Sequence, residues 1–242
     1  MISRIYATAI ILLLVINVVC AQQTNILQQG VTAEQNLKAI VNVSPYSPGG
    51  TGFDTRYEGT KGSPRLYDTL LPSILKIKGQ KDYFELETDI DPVSNSLIFS
   101  YPKGTRLQAI PADMVTEVII TKAGENLVYR TAEGTKFDKS VKDNKFYQVL
   151  AEKPYLFIKM PVKTFTKADF KGPYSSDRRY DEYETKYRYY ILTPDGVFNK
   201  IQLTKKSLAK LFPGKKDVIN KFPEDGTYTS DEELIMAIFG KL

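Results

Sequence analysis

Apolar and polar side chains alternate in short runs from about residue 71 to residue 203, and each run ends in a turn signal. In 83–89, Phe84, Leu86 and Thr88 fall on one side and Glu85 and Glu87 on the other. That is the period of two of a half-buried strand, with the acids on its outer face. The same reading predicts strands over 73–78, 96–101, 106–110, 115–121, 127–131, 155–163, 185–192 and 197–203. Gly79-Gln80-Lys81-Asp82, Asp91-Pro92-Val93-Ser94-Asn95 and Pro102-Lys103-Gly104 turn the chain between runs. Ala123-Gly124-Glu125-Asn126 and Thr193-Pro194-Asp195-Gly196 are hairpin signals. The segment 144–152 reads two ways. Phe146, Val149 and Leu150 have helical spacing, yet Phe146-Tyr147-Gln148-Val149-Leu150 also suits a strand. Short strands at near-regular spacing predict an α+β, mostly β fold, an antiparallel meander that forms either a curled sheet or a small barrel.

After residue 203 the spacing becomes helical. Thr204 caps a helix with Leu208, Leu211 and Phe212 on one face, and Pro213-Gly214 ends it. A second helix over 215–222 carries Val218, Ile219 and Phe222. Ser230 with Glu233 forms a capping box for a last helix with Leu234, Ile235, Ile238 and Phe239 inward, stopped at Gly240. The predicted organisation is a signal peptide over 1–21, a flexible arm over 22–64, a β domain over 65–203 and a helical tail over 204–242. Within the arm, 32–41 reads as one short helix with Leu37, Ile40 and Val41 on a face, and Ser47-Pro48-Gly49-Gly50 breaks regular structure.

The signal peptide rests on Arg4 followed by an apolar run over 5–19, broken by Thr8 and Asn17. Val19 and Ala21 satisfy the small-residue rule, so cleavage is expected after Ala21. The alternatives are acylation of Cys20, which Val19 disfavours, and an uncleaved anchor. Export to the periplasm, outer surface or medium is the expected localisation. The cleaved chain would hold no cysteine, so its core must stabilise it without disulfides. The chain has no histidine. Imidazole acid–base chemistry, a Ser-His-Asp triad, a cysteine nucleophile and a His/Cys zinc site all lack their residues in the mature chain. No cofactor or metal is expected.

The most unusual stretch is 171–190. Tyr174, Tyr180, Tyr183, Tyr187, Tyr189 and Tyr190 alternate there with Arg178, Arg179, Lys186 and Arg188. Asp177, Asp181, Glu182 and Glu184 nearly cancel the cations, which argues against a nucleic-acid groove. The stretch reads as a solvated loop over 172–184 feeding a strand. Arg178, Arg179, Tyr180, Tyr183 and Tyr187 are the candidate contacts to an envelope protein or glycan, because Tyr and Arg anchor interfaces. A second candidate is the lysine-rich 200–221, where Lys205, Lys206, Lys210, Lys215 and Lys216 offer contact to an anionic membrane. The competing reading of these lysines is the solvated side of packed helices.

Two weaker patterns carry chemistry. Ser207-Leu208-Ala209-Lys210 has the Ser-x-x-Lys spacing in which a lysine activates a serine, but the pattern recurs at Ser73 and Ser100 and its partner motifs are absent. Asp89, Asp91 and Asn95 resemble part of a calcium loop that lacks its glycine and distal glutamate. A turn whose Asp and Asn cap their own backbone explains them better.

The run Gly62-Ser63-Pro64-Arg65-Leu66-Tyr67, the segment from Asn144 to Leu150, the Tyr-rich loop and the Tyr189-Tyr190-Ile191-Leu192 hairpin form a recognisable outline. In overall pattern the chain resembles a family of small exported bacterial β-rich proteins of unknown function. The resemblance implies export and β architecture, and no catalytic residue. The expected function is an envelope-associated binding or structural module. The alternatives are a carboxylate-based or Ser/Lys hydrolase of envelope polymers and a peripheral membrane-surface protein.

Overall fold

The computed structural model describes residues 27–41, 44–45, 57–100, 106–132, 137, 141, 145–223 and 226–242. The stretch expected to be a signal peptide, with Cys20 and Ala21, the expected break at Ser47-Pro48-Gly49-Gly50 and the expected turn at Pro102-Lys103-Gly104 lie outside them. In chain order the elements are β1 (Leu27–Gln28), α1 (Gly30–Ile40), β2 (Ser44–Pro45), β3 (Thr60–Lys61), β4 (Leu71–Ile77), β5 (Tyr83–Asp91), β6 (Ser96–Ser100) and β7 (Leu107–Pro111). They continue with β8 (Val115–Lys122), β9 (Glu125–Ala132), β10 (Lys145–Ala151), β11 (Leu156–Thr166), β12 (Asp181–Leu192) and β13 (Phe198–Ile201). The chain closes with α2 (Lys205–Leu211), α3 (Lys216–Asn220) and α4 (Asp231–Phe239).

The protein is mostly β, and the described strands form one sheet in the order β13-β12-β11-β10-β9-β8-β4-β5-β6-β7-β2. The path has two ends, so the sheet is open and the barrel alternative falls away. Two antiparallel meanders make it up, β4 to β7 and β8 to β13. They join where β8 returns to pair with β4 instead of β7. Pro111 and the 3₁₀ turn Ala112–Met114 redirect the chain at that point. Two short strands run parallel to their neighbours, β1 beside the start of β5 and β3 beside the start of β12, and they make the sheet mixed.

Paired residues share a face of a sheet. One face carries Leu75, Phe84, Ile90, Val118, Tyr129 and Phe146, and α1 packs there through Ala33, Leu37 and Val41. Thus part of the stretch expected as a flexible arm supplies core side chains that are fully or almost fully buried. Across the register the same face continues to Phe157 and Ile191, which α2 to α4 cover with Leu208, Ile219, Ile235, Ile238 and Phe239. The opposite face has its own cluster of Tyr147, Ile158, Met160 and Tyr190, packed with Phe137 and Val141.

The sheet curls. Five strand spacings separate β5 from β11, about 24 Å if flat. Lys163 of β11 donates to the Ser63 carbonyl, and only three residues later Leu66 N donates to Ile90 O of β5. Those three residues span at most about 11 Å of backbone, which draws the outer half of β11 toward β5. The ambiguous segment 144–152 is a strand, β10: Phe146 and Tyr147 are both buried, on opposite faces.

Candidate functional site

β11 and β12 pair over eleven positions, from Leu156 opposite Leu192 to Thr166 opposite Glu182. Neighbours support only one end. β10 pairs with 157–159 and β13 with 189–192. Beyond Pro161 and Tyr187 the hairpin is a two-stranded ribbon, and the strand pairing it gains there is β3 at Asp181 and Glu182. The expected loop over 172–184 is corrected accordingly: its last residues, from Asp181 on, belong to β12. Alternation along a strand extended the ordered structure farther than composition indicated.

Register brings Lys159, Lys163 and Phe165 of β11 onto one face with Tyr183, Thr185, Tyr187 and Tyr189 of β12. The Phe165 and Tyr183 rings lie 4.7 Å apart. Phe165 is 42 % and Tyr187 45 % exposed, high for large rings on an ordered strand. The Lys159 amine sits 4.3 Å from the Tyr187 ring, where the ring face attracts a cation. It also lies 2.7 Å from Glu232 of α4, and Tyr189 donates its hydroxyl to the same carboxylate at 2.5 Å. Burial, followed by that carboxylate, pushes the Tyr189 hydroxyl well above its ordinary range. Glu232 therefore anchors the inner end of the aromatic row to the helical layer.

The candidate contacts divide. Arg178 is partly enclosed, donates to the Lys167 carbonyl at 2.6 Å and bridges Asp169 through its backbone. Tyr180 lies under the Lys61 amine, 3.3 Å from the ring centre. Tyr183 packs on Phe165 and against Gly62, in the segment 57–63 that straps across the ribbon. Gly62 has φ +71°, and a Cβ there would stand 2.9 Å from the Tyr183 carbonyl oxygen. Arg179 is exposed, with Asp177 at 3.4 Å, and Tyr187 is exposed. The strap fixes the base of the tip through Glu58 N to Arg179 O, Asp181 N to Gly59 O, and Tyr57 to the Asp181 carboxylate. Asp181 also accepts from Ala168 N at 2.7 Å. Phe165 and Lys159 were missed in the sequence. Their only signal is their register against Tyr183 and Tyr189, which a single strand does not disclose.

The other candidates sit elsewhere. Ser207 Oγ accepts from Gln202 N at 3.1 Å, which ties the serine to the turn before α2, and Lys210 is exposed. Asp91 accepts from Val93 N and Ser94 N, the turn-capping role expected for it. Asp89 is fully buried and accepts from Ile90 N at 2.7 Å and Tyr67 N at 3.1 Å, with Arg65 at 3.9 Å. Burial pushes its carboxyl up to about 6 against the pull of those partners. Among the described residues no group of three or more acids, cysteines or histidines could hold a metal ion. No described helix is long and apolar enough to cross a membrane. Of the lysines expected to meet a membrane, Lys205, Lys206 and Lys210 lie on α2, Lys216 on α3 and Lys215 in the turn between them. The chain matches no protein-family model, no curated protein and no solved structure.

Proposed function

We propose that the protein is an exported, envelope-associated binding module that takes its partner on the aromatic face of the β11–β12 ribbon. The observation that carries this reading is the exposed pair Phe165 and Tyr187 on one ordered face, with Tyr183 and Lys159 beside them. Exposed aromatic side chains held rigid lose little entropy on binding, and Tyr with a cation alongside is the composition of an interface centre. Export rests on the basic and apolar pattern of residues 4–21.

The test is a crosslinked pull-down of the tagged chain from its own cell envelope, with the captured species identified by mass. The double variant Phe165→Ala, Tyr187→Ala is run in parallel. Both side chains are already substantially exposed, so the fold is expected to survive. A discrete species captured by the wild type and reduced at least fivefold by the variant supports the reading. Capture unchanged in a folded variant overturns the ribbon as the contact.

A further inference from the structure

The helical layer carries a second surface, around α2, whose lining residues are separate from those of the aromatic row. Two clefts flank α2. One, about 730 Å³ in volume, has Lys200, Gln202, Thr204, Lys206, Ser207 and Lys210 on its wall. The other, about 600 Å³, has Lys205, Lys206, Lys210, Lys216 and Asn220. Lys206 and Lys210, one helical turn apart, form the ridge between them and line both. No carboxylate lines either cleft among the described residues. A third cleft shares Lys205 and Lys206 but has Asp231 on its wall, which makes it a poorer place for an anion.

The hydroxyl groups add direction to the charge. Thr204 Oγ1 accepts from Ser207 N, and Ser207 Oγ accepts from Gln202 N. With their oxygens receiving backbone hydrogens, the hydroxyl hydrogens remain available to donate. The first cleft thus offers ammonium and hydroxyl donors together.

We propose that these two clefts form a continuous track for a flexible polymer with repeating phosphate groups, which crosses the Lys206–Lys210 ridge and places charges in both. A membrane surface fits less well. A helix that lies on lipid inserts its apolar face, whereas Leu208 of α2 is fully buried and Ala209 and Leu211 pack on the core. Among the described residues neither cleft has an aromatic wall residue on which a nucleic-acid base could stack.

The test uses the folded chain with long-chain inorganic polyphosphate as the probe. Orthophosphate and vesicles with one third anionic lipid serve as comparisons. The wild type is expected to bind polyphosphate with an affinity that falls as salt rises. Lys206→Gln, Lys210→Gln is expected to weaken binding at least tenfold. Lys215→Gln, Lys221→Gln, which removes the same charge outside the shared ridge, is expected to change it by less than about threefold. Circular dichroism on each variant establishes that the fold is retained. Equal losses in both double variants would reduce the effect to net charge and overturn the track. So would vesicle binding without polyphosphate binding, or no binding of polyphosphate by the wild type.

Discussion

Asp89 is the residue where burial and charge are most at odds. Its carboxylate is out of solvent, held by two backbone amides with Arg65 at the edge of reach. Because its value of about 6 lies above the ordinary 3.8, the folded chain keeps a proton that the unfolded chain has released between those pH values. This stabilising contribution is full below about pH 4 and is lost as pH rises through 6, an effect on the order of 3 kcal/mol. Asp89→Asn keeps an oxygen for the two amides and removes the titration. Chemical denaturation between pH 4 and 7 should therefore give a flatter stability profile for the variant, and an unchanged profile would show that Asp89 does not titrate there. Glu232 acts the opposite way, holding Lys159 and Tyr189 together. Glu232→Gln should cost about 1–2 kcal/mol, because it leaves a partly buried ammonium without its counter-charge. Gly62→Ala should cost at least about 1–2 kcal/mol, since the side chain meets both a positive φ and the Tyr183 carbonyl. Both losses are readable as shifts in the denaturant midpoint.

At the scale of elements, α1 makes the sharpest prediction. Leu37 is fully buried against the sheet, so Leu37→Ala should destabilise the whole domain by about 2–5 kcal/mol in one cooperative transition. A change near zero would mean that the helix is not part of the core. The helix itself was legible from the spacing of Leu37, Ile40 and Val41, but its docking was not, because a polar, punctuated neighbourhood hides what a short apolar face packs on. Most strands were legible for a simple reason: Phe84, Leu86 and Thr88 face the core while Glu85 and Glu87 face out. The turn at Ala123 and Gly124 has φ of 51° and 86°, the geometry that a two-residue hairpin demands. β10 was not legible, since both of its faces are apolar and period cannot separate such a strand from a helix. The capping box over Ser230 and Glu233 formed in part. Ser230 accepts from Glu233 N, while the Glu233 carboxylate reaches Thr229 N rather than Ser230 N.

At the scale of the molecule, pairing order and register were beyond the sequence. The return of β8 to β4 and the parallel additions of β1 and β3 are non-local choices. The site suffered from the same gap. Tyr183 and Tyr187 were visible as part of an unusual run, whereas Phe165 and Lys159 join them only through the β11–β12 register. Arg178 and Tyr180, visible in the same run, hold the ribbon tip and its strap together. The proposed contact is therefore the ribbon face instead of the loop at its tip. The most direct measurement introduces a photo-crosslinking side chain at position 187, and separately at position 85, where Glu85 is exposed on another strand. After irradiation in cells that make the protein, position 187 should yield an adduct of discrete mass and position 85 none. Equal adducts from both positions, or none from 187, would contradict the account.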